Sequence, residues 1–202
     1  MPARILIAFY SRNGSVETLA KAVAEGAQAE GAEVRLRRAR ELVGEEVMAL
    51  APGWLDNARR MNALYEAPIA DDAVWADGIV FGSPTRFAAA ASELRAYVEG
   101  LGALWLQGKL YGKAGGAFTS TSTLHGGAEA TILSLYPTFA HLGLVIVPPG
   151  YGSPAMFKAG TPYGASSVSF GAQAAPPTAD DIAAAEFQGR RMAQVAAALA
   201  AR

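Results

Sequence analysis

The sequence predicts an α/β fold in which helices cover both faces of a parallel sheet. Short apolar runs alternate with segments of helical periodicity along all 202 residues, and 51% of the residues are hydrophobic. The first run, RILIAFY at residues 4–10, contains almost only apolar residues, which is typical of a strand buried on both faces. Strands that alternate with helices favour a parallel sheet, because parallel neighbours need a crossover connection.

Each predicted element follows from a local pattern. Strands are expected over residues 4–10, 32–39, 77–84, 113–121 and 144–150, and helices over residues 16–31, 91–102, 129–143 and 178–200. Val16, Leu19 and Val23 share one face of the first helix, and Gly31 is its stop signal. Thr178 and Asp181 form a capping-box-like start for the last helix. Five such strands favour the flavodoxin-like order 2-1-3-4-5, in a single domain over residues 1–202.

Two segments depart from the plain alternation of strands and helices. Residues 44–70 form an insertion, and residues 151–177 form a long loop rich in Gly, Pro, Ser and Tyr. A loop of that length is usually functional or lies at an interface. The insertion carries apolar residues that would be exposed in a monomer and so predict self-assembly; they are Trp54, Leu55, Met61, Leu64 and Tyr65.

Charge and composition exclude several classes of function. The 17 basic and 18 acidic residues give a net charge of −1, which argues against nucleic acid or an anionic membrane surface as a partner. The absence of cysteine excludes disulfides and thiolate chemistry, and two histidines make no convincing metal site. No secretory signal and no apolar run of about 20 residues is apparent, so we expect a cytoplasmic protein without membrane insertion. The charged stretch RLRRARE at residues 35–41 is interpreted as a solvated edge strand and helix start.

The turn between the first strand and the first helix resembles an anion cradle. Its sequence, SRNGS, offers the hydroxyls of Ser11 and Ser15, with Thr18 one turn further on. Backbone N–H groups and the dipole at a helix N-terminus favour a phosphate there. The spacing fits neither G-x-G-x-x-G nor the P-loop pattern. An ordinary hydroxyl-capped helix start explains this turn about equally well.

Two further strand ends are expected at the same rim of the sheet. GSPTRF at residues 82–87 could present backbone N–H groups to the polar edge of a flat ring, or could be a plain βα turn with Phe87 in the core. TSTSTLHGG at residues 119–127 is rich in hydrogen-bonding groups, although a solvated loop is the simpler interpretation. A phosphate site beside two walls for something flat fits flavin mononucleotide, FMN.

The chain resembles the WrbA family of flavodoxin-like NAD(P)H:quinone oxidoreductases over nearly its whole length. The resemblance is carried by YSRNGSVETLAKAVAEGA at residues 10–27 and by the motifs GSPTRF, LYGK, HGG and GTPYG. It implies FMN as cofactor, NADH or NADPH as electron donor, a quinone as acceptor and a homodimer or homotetramer. We hypothesise a ping-pong relay in which hydride passes to flavin N5 before the quinone takes two electrons, so that no side chain is catalytic.

The resemblance also implies roles for individual residues. It implies FMN contacts for Ser11, Arg12, Asn13, Gly14, Ser15, Val16, Pro84, Thr85, Arg86, Phe87, Ser120, Thr121, Ser122, Thr123, Leu124, His125, Gly126 and His141. It implies a substrate slot formed by Trp105, Tyr151, Phe87 and Asn13. The chain departs from the family at Asn13-Gly14-Ser15, where Tyr-Gly-His is usual, at Leu142, where a second histidine is usual, and in a shorter segment over residues 153–160.

Simpler interpretations remain open for single residues and for the whole chain. Taken alone, His141 is a packed or capping residue, His125 is solvated, Trp105 is a packing residue and Tyr151 lies at an interface. A flavodoxin-type electron carrier without its own substrate is the main alternative function, although such carriers are typically strongly acidic. A third possible function is that of an interaction protein that keeps the fold without binding a flavin.

Overall fold

A mainly parallel sheet organises the structure, which is a computed structural model that describes residues 1–171 and 175–201. Its strands are β1 (Arg4–Phe9), β2 (Glu33–Arg38), β3 (Gly78–Arg86), β4 (Ala89–Ala90), β5 (Ala114–Thr121), β6 (Val145–Ile146) and β7 (Ser166–Val168). The helices are α1 (Ser15–Ala29), α2 (Glu45–Met48), α3 (Trp54–Leu64), α4 (Ala70–Trp75), α5 (Ser92–Glu99), α6 (Gly102–Leu106), α7 (Ala128–Leu142) and α8 (Ala179–Ala200). Among these residues, none of the helices has the length and apolarity needed to cross a bilayer.

The order of the main parallel strands confirms the flavodoxin-like prediction. The sheet runs β2-β1-β3-β5-β6, so the five main strands follow the order 2-1-3-4-5. Both faces of the sheet are covered by apolar clusters, one centred on α1 and α8 and the other on α5 and α7. The first strand is buried along residues 5–9, as its apolar run predicts. The carboxyl ends of β1, β3 and β5 therefore meet at one rim.

The last strand of the predicted order, which corresponds to β6, is shorter than predicted. Only Val145 and Ile146 pair with β5, although a strand was expected over residues 144–150. Pro148 and Pro149 have no N–H to donate, and that limits the ladder. The carboxyl half of β5 pairs instead with β7, which comes from the long loop at 151–177. That loop also holds a 3-10 turn at Pro154–Phe157, while its residues 172–174 lie outside the described part of the chain.

The insertion at 44–70 packs against the domain more closely than its sequence predicted. Met61 is fully buried, and Trp54 and Leu55 are half-buried. The ring of Tyr65 meets that of Phe9 edge-on, with centroids 5.2 Å apart. Of the five apolar residues expected to be exposed, Leu64 alone is largely exposed. Most of the apolar surface of the insertion is therefore covered by contacts within its own chain.

Helices α1 and α8 cross at a contact that requires glycine on both sides. A Cβ atom on Gly26 would lie 1.9 Å from the carbonyl oxygen of Glu186, and one on Gly189 would lie 2.0 Å from that of Val23. Neither carbonyl can move without breaking its own helix. The close crossing sets the position of α1, and with it the position of the turn that precedes α1.

We expect Gly26→Ala to lower the free energy of unfolding by about 1–3 kcal/mol, because the added methyl group overpacks the crossing of α1 and α8. Urea denaturation followed by circular dichroism measures the change. Gly102→Ala is the matched control, since no described atom outside the local chain lies within 4 Å of a Cβ there. Equal losses in the two variants would show that the crossing does not depend on Gly26.

Candidate functional site

The three predicted strand ends meet around one narrow cavity at the carboxyl edge of the sheet. The cavity has a volume of about 60 Å³, enough for a small anion. Its lining comes from the turn after β1, the end of β3, the end of β5 and the segment after β7, and consists of Ser11, Arg12, Asn13, Ser15, Val16, Pro84, Thr85, Arg86, Ser120, Thr121, Ser122 and Ser169. All of these except Ser169 were predicted from the sequence.

The turn before α1 leaves the start of that helix open to a ligand. Gly14 has φ +99°, a left-handed conformation that favours glycine, and its N–H donates to Ser11 Oγ at 3.1 Å. Among the described residues, no side chain caps the first N–H groups of α1. Ser11 Oγ accepts in this contact, so its proton is still available to a ligand. Thr18 differs from the expectation, because its hydroxyl donates to the carbonyl of Gly14 at 3.2 Å.

Two arginines give this cavity a positive potential. The guanidinium carbon of Arg12 lies 3.6 Å from the ring centroid of Trp54, in a cation–π contact. Arg86 donates to the carbonyl of Thr85 at 2.9 Å. Neither arginine forms a salt bridge with any residue in the described ranges. Together with the dipole of α1, they make the cavity suitable for a phosphate.

A buried arginine fixes the turn from behind. Arg38, at the end of β2, is 0% exposed and donates to the carbonyl of Ser11 at 3.0 Å. It also pairs with Glu41 and donates to Asn62 of α3. The interpretation of residues 35–41 as a solvated stretch is therefore wrong at Arg38. Two acceptors from other segments, Ser11 and Asn62, together with Glu41 of the same stretch, replace water around its guanidinium.

A second ion pair joins the insertion to the first turn of α1. Glu17 is 4% exposed and accepts hydrogen bonds from Arg60 at 3.0 Å and from the Tyr65 hydroxyl at 2.9 Å. Burial pushes the pKa of Glu17 upward, but these hydrogen bonds outweigh it and hold the pKa below the usual value. The carboxylate nearest the helix start is thus neutralised by Arg60 and does not oppose an anion in the cavity.

The end of β3 forms a hairpin where a simple turn was expected. The strand extends through Pro84, which pairs with Ser120, and then Thr85 and Arg86 pair antiparallel with β4. Phe87 and Ala88 form the tip, with φ values of +52° and +62°. Phe87 is fully exposed, so its placement in the core is excluded.

Hydrogen bonds join the second and third loops of the rim. Thr85 Oγ1 lies 2.6 Å from Thr131 Oγ1, in the first turn of α7, and also approaches the carbonyl of Gly126. Thr119 Oγ1 donates to the carbonyl of Ser83 at 2.7 Å. The ends of β3 and β5 are therefore held in a fixed relation on either side of the cavity.

A wider and more apolar cavity adjoins the first one. It has a volume of about 500 Å³, shares Ser122 with the narrow cavity, and is lined further by Thr123, Leu124, His125, Phe170 and Gly171. Ser169, Phe170 and Gly171 were not predicted as site residues. The length of the loop at 151–177 was the one signal that pointed to them. They follow β7, which pairs with β5 across nearly 50 residues of sequence.

Three predicted residues lie away from both cavities within the chain. Trp105 on α6 and Tyr151 are about half exposed, and Tyr151 packs against Phe157 with ring centroids 5.1 Å apart. His141 is exposed in the last turn of α7, about 20 Å along the helix from its start at the rim. The roles predicted for these three residues stay predictions.

Comparison with known proteins decides the family. The sequence profile of the NADPH-dependent FMN reductases matches residues 3–157. The chain belongs to this family. A relative from Sinorhizobium fredii named NAD(P)H dehydrogenase (quinone) is 42% identical, with 98% of this chain and 99% of the relative covered. A protein of the same name from Rhodopseudomonas palustris is 40% identical over 96% of this chain and 97% of its own length.

Solved structures agree on the fold. A WrbA-like flavodoxin from Agrobacterium tumefaciens superposes with a TM-score of 0.68 at 22% identity, covering 97% of this chain and 98% of that one. An archaeal flavodoxin superposes with a TM-score of 0.61 at 13% identity, covering 96% and 99%. The flavodoxin-like fold is thus confirmed, and so is the resemblance seen in the sequence. The open start of α1, with its hydroxyls and two arginines, fits the phosphate of an FMN.

We expect Arg38→Met to lower the free energy of unfolding by about 3–5 kcal/mol, because it leaves Glu41, whose side chain is 3% exposed, as an unpaired buried carboxylate. The double variant Arg38→Met with Glu41→Leu should recover at least half of that loss. Chemical denaturation of the two variants and the parent measures both values. A double variant as unstable as the single one would contradict the buried pair as the source of the loss.

Proposed function

We propose that this protein is an FMN-dependent enzyme that reduces quinones with NADH or NADPH. The observation that carries the proposal is the narrow cavity at the carboxyl rim. There the start of α1 has no side-chain cap, and Arg12 and Arg86 form no salt bridge, among the residues that the structure describes. The name NAD(P)H dehydrogenase (quinone), carried by relatives about 40% identical over nearly the whole chain, supports the reaction. The net reaction is NAD(P)H plus quinone plus a proton, giving NAD(P)⁺ and hydroquinone.

In this proposal the phosphate of FMN binds at the turn before α1. Ser11 and Ser15 donate through their hydroxyls, and the backbone N–H groups at Ser15 and Val16 point along the helix dipole. Arg12, held against Trp54, supplies positive charge at the outer side of the phosphate. A charge-assisted contact of this kind contributes about 1.5–3 kcal/mol when it is well formed.

The flat ring of FMN would lie between the second and third loops. Backbone groups of Thr85 to Phe87 would meet its polar edge from one side, and the segment from Ser120 to Gly126 from the other. When bound, FMN supplies the redox chemistry by a hydride relay at N5, accepting hydride from the nicotinamide and giving two electrons to the quinone. The side chains of this protein orient the reactants and exclude water, and none needs to act as a nucleophile.

We further propose that the enzyme assembles as a homodimer or homotetramer. Trp105, Tyr151 and His141 are exposed and line neither of the two cavities at the rim, which suits residues that complete the site of a neighbouring copy. Leu50 and Leu64 of the insertion add exposed apolar surface. We place the enzyme in the cytoplasm, where NADH and NADPH are available.

The reaction is tested by anaerobic stopped-flow mixing of the FMN-loaded protein with NADH and, separately, with NADPH. At least one donor should bleach the flavin absorbance at a rate that turnover requires, and a following pulse of 1,4-naphthoquinone should restore the absorbance. Free FMN with the same reagents is the control. If neither donor bleaches the bound flavin faster than it bleaches free FMN, the enzymatic function is wrong.

Assembly is tested by sedimentation velocity at micromolar concentration. The protein should sediment at two or four times the 20.9 kDa of a single chain. Trp105→Glu should shift it toward monomer while leaving the far-ultraviolet circular dichroism unchanged, because a carboxylate opposes burial in an interface. A parent protein that sediments only as a monomer would overturn the proposed assembly.

A further inference from the structure

An exposed phenylalanine stands at the mouth of the wider cavity in an unfavourable backbone conformation. Phe170 lines the cavity of about 500 Å³ together with Leu124 and His125. Its φ is +53°, in the left-handed region that side chains with a Cβ rarely adopt. Phe170 is 47% exposed. Burial of the side chain therefore does not explain why a phenylalanine occupies a position where glycine would be unstrained.

The same combination occurs at one other place in the described structure. Three non-glycine residues of the described structure have a left-handed conformation, namely Phe87, Ala88 and Phe170. Of these, Phe87 is fully exposed. The immediate neighbours of the two phenylalanines, Arg86 and Ser169, line the same narrow cavity. Two strained, exposed aromatic rings therefore flank one site from opposite loops. Strain that persists at exposed residues is typical of positions used for ligand binding.

The backbone around Phe170 is held in place by β5. The N–H of Ser169 donates to the carbonyl of Thr121 at 2.9 Å, and the Ser169 hydroxyl donates to the same oxygen at 3.3 Å. The N–H of Ala175 donates to the carbonyl of Ser169 at 2.8 Å. The ring of Phe170 thus projects from an anchored segment.

The chemistry of the lining indicates the class of ligand. The wider cavity is lined by hydroxyls, Leu124, His125, Phe170 and glycine, and among the described residues no arginine or lysine lines it. The phosphates of a dinucleotide would find no cation there, whereas a neutral, flat molecule would be suited to it. A volume of about 500 Å³ lies within the usual range for a small-molecule site.

We propose that Phe170 is a specificity-determining residue that forms an aromatic wall for the quinone, opposite the loop that carries Phe87. This inference rests on the proposed function and names the part of the site that binds the electron acceptor. Stacking of an aromatic pair predicts a change of about three- to tenfold in affinity when the ring is removed.

The test is a titration of the oxidised, FMN-loaded protein with 1,4-naphthoquinone, followed by the perturbation of the visible flavin band. No reaction occurs between the two oxidised partners, so the dissociation constant is measured without turnover. Phe170→Leu should weaken binding about three- to tenfold, and Phe170→Tyr should stay within about twofold of the parent. Tyr111→Leu is the control for an exposed aromatic residue at the opposite end of the sheet, and FMN affinity should be equal in all variants.

Phe170→Gly separates a ligand-binding role from a structural one. It relieves the left-handed strain, so the thermal midpoint of the protein without FMN should rise by about 2–4 °C while quinone binding weakens. The inference is overturned if Phe170→Leu binds the quinone as the parent does, if the parent binds none, or if Phe170→Gly lowers the thermal midpoint. Failure of NADH and NADPH to reduce the flavin would overturn the proposed function but would leave this titration interpretable.

Discussion

The rest of the site depends on the hydrogen bond from the buried guanidinium of Arg38 to the carbonyl of Ser11. An arginine inside a protein is stable only when carboxylates and carbonyls replace its water. Here Glu41 supplies the charge, and Asn62 of the insertion supplies a further acceptor. One side chain therefore joins the edge strand, the insertion and the anion-binding turn. The insertion therefore has a structural role, because its Asn62 helps to hold Arg38, and Arg38 supports the turn from the side away from the cavity.

The rim divides into a positive end and a neutral end. At the positive end, Arg12 and Arg86 have no carboxylate partner within residues 1–171 and 175–201, while Glu17 is neutralised by Arg60. At the neutral end, the wider cavity presents Phe170 and hydroxyls. A molecule with a phosphate at one end and a flat ring at the other suits this gradient, since each part meets the surface that its own chemistry prefers. A neutral electron acceptor such as a quinone would then be favoured only at the neutral end, beside the flat ring of that molecule.

The sequence predicted those parts of the molecule that depend on local pattern. Three local patterns were used: the apolar run of β1, the helical period of α1 and the polar residues at the strand ends. They were enough to predict the strand order and most of the residues that line the narrow cavity. Arg38 was misinterpreted because two of its acceptors, Ser11 and Asn62, lie more than 20 residues away in the sequence. The hairpin tip at Phe87 was missed because turns with positive φ usually carry glycine or asparagine. Phe170 was missed because β7 joins β5 across nearly 50 residues, a pairing that no local signal encodes.

The most direct test of this account compares FMN with riboflavin, which lacks the phosphate, in binding to the flavin-free protein. Quenching of flavin fluorescence gives both dissociation constants under the same conditions. The account predicts that FMN binds at least about 100-fold more tightly, because two charge-assisted contacts of about 1.5 kcal/mol or more are lost with the phosphate. The preference should shrink at high salt, since the arginines at the rim are partly exposed. Equal affinities for FMN and riboflavin would contradict the anion site on which the proposed function rests.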